Sequence, residues 1–251
     1  MTLTLYTALY GQKEPPNPDV FGGFSNVRRL VFTDRADLDP AVFGAGVERI
    51  LDPLDGLDPA RASRRAKLMP HRYLGTGWSL WIDNKSRLKR DPVEVLAATR
   101  AQSDAGFFAF PHFARDDVYA ELQTCWENGL DDYAILKERE RTYRAEGMPA
   151  RTGLIEGHLI LRRHGDPDLM RFGEEWFEQV RRYSRRDQIS FPYLAWKLAL
   201  RYETFATLDW RETVQHDRID RANRKPDFPR KRRAYQAARA LYHRLRRTLG
   251  R

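Results

Sequence analysis

The sequence predicts an α/β fold with one principal domain. Short apolar runs of strand length, at Leu3–Tyr10, Arg29–Phe32, Gly77–Ile82 and Gly106–Phe110, alternate with segments of helical periodicity. The first three give way within two residues to Gly11, Asp34 and Asp83, as buried strands do where they leave a sheet. At 251 residues, with 41% hydrophobic and 12% aromatic side chains, the chain can build one sizeable core.

Taken in order, the first strand ends at Gly11, where a missing Cβ permits a tight turn or the close approach of a ligand. Pro15-Pro16-Asn17-Pro18 and Gly22-Gly23 are loop punctuation before the second strand and its Thr33-Asp34 end. Asp58 is placed to cap a helix that has Pro59 at its first position, and Arg61, Arg64 and Lys67 recur on one face of it. Such a row is either a solvated face or a set of donors for an anion.

The run Gly77–Ile82 is the most continuously apolar strand, and Asp83-Asn84-Lys85 closes it. Ligands of open α/β sheets bind at that edge. Asp83 there either caps a turn or holds a divalent cation through hard oxygen ligands. Asp91-Pro92 opens a helix running to about Arg100, and His112 and Arg115 follow the strand Gly106–Phe110. Asp116 and Asp117 cap the next helix, a further one covers Asp131–Gly147, and its Glu138–Arg141 run reads as a solvated surface.

Gly153–His158 leads into a strand at Leu159–Leu161, with Glu156 either facing a ligand or serving the structure. Leu169, Phe172, Trp176, Val180 and Tyr183 give a core face to a helix over Asp168–Tyr183. Asp187-Gln188 then opens another helix, with Asp187 placed as its N-cap. After Pro229, Ala234, Ala238, Leu241 and Leu245 recur at helical spacing among arginines. The chain thus divides into a body, residues 1–217, and a basic helical extension, residues 218–251.

Charge follows that division. Residues 218–251 hold 13 Lys/Arg and 2 Asp/Glu, so the body carries −2 of the total +9. Nucleic-acid binding would rest on the tail alone, and no recognised nucleic-acid motif supports it. The single cysteine, Cys125, sits in a helical apolar pattern and excludes an internal disulfide. No leader-like or membrane-spanning run is present, which predicts a cytoplasmic protein. A Walker A loop, G-x-G-x-x-G, H-E-x-x-H and G-x-S-x-G are all missing.

The ordered set Tyr6–Gly11, Phe32-Thr33-Asp34, Arg64, Lys67, Pro70-His71, Gly77–Lys85, Phe110–Arg115 and Arg185–Phe191 resembles a glycosyltransferase-like family first described in plant turgor and mucilage proteins and also found in bacteria. The resemblance runs from about Thr4 to Lys197. It implies a GT-A type sheet that binds a nucleotide sugar, a uridine one by preference, with a glycan, polysaccharide or lipid-linked acceptor. Tyr10, Gly11, Asp34, Arg64, Lys67, Asp83 and Lys85 then fall at the donor, Arg64 and Lys67 supplying charge for the diphosphate, and His112 and Arg115 at the acceptor. Asp187-Gln188 resembles the Asp-Gln motif of retaining enzymes of the glycogenin and lipopolysaccharide galactosyltransferase kind. That likeness puts Asp187 on sugar hydroxyls and Gln188 near the anomeric carbon; Glu156, flanked by glycines, is separately a candidate catalytic carboxylate.

Asp83-Asn84-Lys85 departs from the implied Asp-x-Asp by a cation at its third position. A manganese or magnesium ion on Asp83, with His216 as a late ligand, and a diphosphate neutralised by Lys85 itself are therefore alternatives. The same departure admits a degenerate nucleotide-sugar binder without turnover. The basic helix at the end of the chain is expected to pack on the body or to dock on an anionic membrane face, making the protein peripheral at the inner face.

Overall fold

The computed structural model describes residues 2–216 and, further on, four helical residues, Ala234, Ala237, Ala238 and Leu241. The boundary placed at residue 217, and the predicted basic helix apart from these four positions, lie outside the described residues.

Nine strands are described: β1 (Leu3–Leu9), β2 (Arg28–Thr33), β3 (Glu48–Leu51), β4 (Gly77–Ile82), β5 (Ser86–Leu88), β6 (Phe107–Pro111), β7 (Ile155–His164), β8 (Glu203–Thr204) and β9 (Val214–His216). Seven of them form one sheet in the order β3-β2-β1-β4-β7-β6-β8. β7 runs antiparallel to both neighbours, whereas the other pairings of this sheet are parallel. β5 and β9 make a separate small antiparallel ladder.

The helices are α1 (Pro59–Leu68), α2 (Pro92–Gln102), α3 (Val118–Glu127), α4 (Tyr133–Ala145), α5 (Pro167–Arg182), α6 (Asp187–Lys197) and the short α7 (Trp210–Thr213). Alternation along the strands builds two cores. Tyr6, Phe32, Trp81, Phe107 and Ile160 face α1 and α3 to α6. Leu5, Val31, Leu80, Phe108 and Leu161 face α2, the loop around Val20 and Phe21, and Val214 beyond α7. With both faces covered, the central strands are near-continuous apolar runs, which is why they are plain in the sequence.

Aspartates cap most of the helices. Asp58, Asp91, Asp117, Asp132, Asp166 and Asp209 each accept backbone N–H groups of the first turn. Asp187 does not, contrary to the expectation. Arg186 occupies the cap position of α6 without a side-chain cap, and Asp187 is its first helical residue, its carboxylate turned into an ion pair. The Glu138–Arg141 run is not wholly solvated either. Arg139 is buried, its guanidinium 3.4 Å from the centre of the Tyr183 ring.

The topology brings one edge of the sheet together. Parallel β1, β2, β3, β4 and β6 end there at Tyr10, Asp34, Asp52, Asp83 and His112. Antiparallel β7 begins there, with Ile82 opposite Leu159, so Glu156, Gly157 and His158 lie beyond the end of β4. Against β6 the register jumps from Ala109↔Ile160 to Phe110↔Glu156, a bulge at these site-edge residues.

Candidate functional site

At the centre of this edge the α1 face presents its lysine inward. Lys67 is 2% exposed, with its ammonium 2.6 Å from Asp187 and 3.7 Å from Asp83. Arg64, one turn earlier, lies 3.7 Å from Asp187. Gly157 makes room for this arrangement, since a Cβ there would stand 2.8 Å from Lys67 Nζ. The row read from the sequence is therefore a single face, but one that enters the site. Arg61 belongs to the frame, bonding the Val180 and Tyr183 carbonyls.

The charges set the protonation states. Burial alone would raise the Asp187 carboxyl, yet Lys67 and Arg64 outweigh it and hold Asp187 well below the usual carboxylate range. Asp83 is also held low: burial opposes ionisation, and Lys67, His158 and Arg64 favour it more strongly. Both are fixed anions at neutral pH.

A cavity of about 290 Å³ opens beside them, walled by Tyr10, Glu14, Arg64, Asp83, Asn84 and Lys85 among others. Four sequence-predicted donor residues thus share one wall. Lys85 stands 3.3 Å from Glu14, and Asn84 donates to Glu14 and to the Pro15 carbonyl, so the loop after β1 is tied across the cavity. Tyr10 contributes its ring, because its hydroxyl is engaged by Asp52 along with that of Tyr73. Asp34 accepts the Gly11 N–H at 2.9 Å and so shapes the turn beside the cavity. A larger depression of about 980 Å³, around Thr2, Arg28, Trp78 and His164, lies at the opposite edge and contains none of the predicted residues.

The other end of the site is a histidine and carboxylate network. Gln188 donates to the Ile155 carbonyl at 3.1 Å and lies 3.4 Å from Glu156. Glu156 is buried, 3.2 Å from His158 Nδ1 and 3.5 Å from His112 Nε2. Despite burial, His158 and His112 keep its carboxyl below the ordinary value. Burial lowers the His112 pKa in turn, against the pull of Glu156 and Glu121. Nδ1 of His112 accepts the Ala114 and Arg115 backbone N–H groups at 3.2 and 3.1 Å. The neutral ring therefore carries its proton on Nε2, facing Glu156. Arg115 pairs with Glu121 at 2.7 Å and joins this network at its margin, its guanidinium 3.5 Å from His112 Nε2.

His158, Glu121, Arg186 and Glu14 carry no signal in the sequence that marks them as part of this site. Glu121 and Arg186 pair at 3.5 Å behind Gln188, which accepts from Arg186 at 2.9 Å. Their placement arises from long-range packing and has no local pattern in the sequence.

A metal held by the protein alone is not supported by this donor set. Asp83 Oδ1 accepts the Trp81 indole N–H at 3.0 Å and faces Lys67. Among the described residues no three His, Cys, Asp or Glu side chains converge as ligands would. His216 pairs through its backbone with Ser86 and so lies close along the chain fold to Asp83, but its side chain is outside the described residues.

Residues 51–218 match the model of the TOD1/MUCI70, glycosyltransferase-like domain. Over 151 residues the chain is 33% identical to a probable hexosyltransferase, MUCI70 of Arabidopsis thaliana, covering 57% of this chain and 26% of that protein. The chain thus spans about a quarter of the length of that relative. Among solved structures, apo mouse xyloside xylosyltransferase 1 shares the fold, with a TM-score of 0.54 at 10% identity over 90% of this chain and 100% of that one. No helix among the described residues is long and apolar enough to cross a membrane.

Proposed function

We propose that this chain, which belongs to the TOD1/MUCI70 glycosyltransferase-like family, transfers a sugar from a nucleoside diphosphate sugar, a uridine one by preference, to a glycan, polysaccharide or lipid-linked acceptor. The observation that carries the reading is the charge-ordered edge of the sheet, where Arg64 and Lys85 line a cavity beside the Lys67–Asp187 pair.

Departure of a nucleoside diphosphate places negative charge on the leaving oxygens, so preorganised cations lower the barrier most where water is displaced. Arg64, 30% exposed at its side chain, has guanidinium surface to offer a phosphate. Lys85 is the second such cation, reached by exchanging Glu14 for the phosphate. Lys67 acts differently. Saturated by Asp187, it fixes that carboxylate where sugar hydroxyls would donate to it. Gln188 and Glu156 form the far wall, against the reacting carbon. With its carboxyl held low, Glu156 is a weak proton acceptor and suits the stabilisation of developing positive charge on the sugar better than proton abstraction.

On this reading the diphosphate is neutralised by protein cations. Melting curves against a panel of nucleotides and nucleotide sugars, with manganese or with EDTA, test it: a nucleoside diphosphate sugar raises the melting temperature by mass action in either condition. No shift with any nucleotide sugar refutes the transferase, and a shift confined to manganese restores a metal on Asp83 with His216. Release of nucleoside diphosphate distinguishes an enzyme from a binder without turnover. We assign the basic extension to an anionic membrane face. Its described residues Ala234, Ala237, Ala238 and Leu241 are helical and exposed, as a surface-seeking helix requires.

A further inference from the structure

Phe113 is 86% exposed, more than any other large apolar side chain described. Burial of a phenylalanine ring is worth about 1.5–3 kcal/mol, so a ring left in water on a well-built loop forgoes a substantial stabilisation. This loop is well built. His112 N donates to the Leu154 carbonyl at 2.8 Å, His112 Nδ1 accepts two amides of the following turn, and Gly153 N donates to the Asp116 carbonyl at 3.1 Å. The Phe113 ring lies nearly parallel to that of His112, at 11° and 5.1 Å between centres, so its orientation is set by the same network.

The next group inward is Glu156. Its Oε1 is buried, lies 3.5 Å from His112 Nε2, and accepts no hydrogen bond of good geometry among the described residues, although the Phe113 backbone N–H also faces this carboxylate. A buried carboxylate oxygen left in that state calls for a donor. An exposed flat ring and, one residue inward, an oxygen wanting a hydroxyl form a surface that is apolar on one side and hydrogen-bonding on the other. A pyranose has the matching duality: axial C–H groups make one face apolar, while hydroxyls project from its rim.

We infer that Phe113 and Glu156 form the acceptor subsite, in which a neutral pyranose unit of a glycan stacks on the Phe113 ring and directs a hydroxyl toward Glu156. This rests on the transferase reading above and narrows its acceptor to a carbohydrate chain. A lipid would need a contiguous apolar patch, and Phe113 is flanked by Ala114, Arg115 and Asp116. Preorganisation of the ring by His112 means that little ordering cost is added when the sugar binds.

The test uses the full chain with Phe113→Ala and Phe113→Trp. Binding of xylo-, cello- and galacto-oligosaccharides of four to six units is measured by ligand-observed NMR titration, and the melting shift given by UDP-glucose, UDP-galactose and UDP-xylose is recorded in parallel. An aromatic contact of this kind corresponds to about a tenfold change in Kd. The expected result is that an oligosaccharide binds the wild-type chain, that Phe113→Ala weakens it about tenfold, that Phe113→Trp retains it, and that the nucleotide-sugar shift persists in both. Equal glycan binding by Phe113→Ala overturns the proposal. So does a chain that binds a nucleotide sugar but no oligosaccharide, or a Phe113→Ala variant that loses co-sedimentation with anionic vesicles in place of glycan binding. Loss of every nucleotide-sugar shift in the wild type would instead strike the transferase reading, a separate failure.

Discussion

Replacing Lys67 by methionine keeps the length and apolar stem of the side chain and removes only its charge. Two buried or half-buried carboxylates, Asp187 at 2.6 Å and Asp83 at 3.7 Å, then lose their common counter-ion. Breaking a buried pair by removing one partner costs about 3–5 kcal/mol. For a chain of this size each kcal/mol moves the melting temperature by about 2–4 °C, so a drop of roughly 6–20 °C is expected at neutral pH. The pH dependence carries the sharper test. In the wild type the Asp187 carboxyl is depressed, so its contribution is complete above the unfolded value of about 3.9 and is lost as pH falls through the lower folded value. Without Lys67 the burial of Asp187 is opposed only by Arg64 and, more weakly, Arg186, and the folded pKa rises. The variant's deficit is then greatest at neutral pH and shrinks on acidification, as the carboxyl takes up a proton. Urea unfolding of both proteins between pH 7 and pH 4 measures this. The double variant Lys67→Met/Asp187→Asn should recover more than 1 kcal/mol of the loss. A deficit under about 1 kcal/mol, or one that is the same at every pH, would refute the argument and reduce Lys67 to a packing residue.

Gln188→Ala removes three hydrogen bonds at the edge of the site, each worth about 0.5–1.5 kcal/mol, while the proposed position beside the reacting carbon predicts a far larger fall in kcat; a turnover assay beside urea unfolding separates the two. Gly157→Ala drives a methyl to 2.8 Å from Lys67 Nζ without backbone strain, and should cost about 1–3 kcal/mol and weaken nucleotide-sugar binding in the same variant, both read by melting curves. The Cys125 thiol, buried and pushed up to about 12, should resist alkylation in the native state and react on unfolding. Deleting residues 230–251 should abolish co-sedimentation with anionic vesicles, and the wild-type interaction should fade at high salt, each basic residue near the surface contributing about 1 kcal/mol.

The strands β1, β2, β4 and β6 are legible in the sequence because burial on both faces makes them largely apolar. β3 is not, since Glu-Arg-Ile-Leu at the sheet margin carries two charges and has no buried residue. β5, β8 and β9 are too short to show a period. β7 is longer than expected at both ends. Its first residues include Glu156 and His158, polar groups kept for the site, and its last are Arg162 to His164, of which Arg162 donates to the Lys67 and Leu68 carbonyls. Asp187 shows the limit of local reading. Its place at a helix start fits a cap, and the competing claim comes from Lys67, 120 residues earlier in the chain. The site residues are separately visible as types, but the pairings that decide what each one does are made by topology.

The bulge on β7 has a consequence for motion. The register against β6 jumps across Gly157 and His158, the ladder with β4 ends at Leu159, and the Asp83 N–H to His158 carbonyl bond reaches across that gap. A ten-residue strand at the middle of the sheet is thus regular in its pairing from Leu159 onward and interrupted at the point where the Lys67 ammonium rests against Gly157. Slow amide exchange along the strand should give way to faster exchange at Gly157, and a ligand that braces Lys67 and Asp187 should slow it there first.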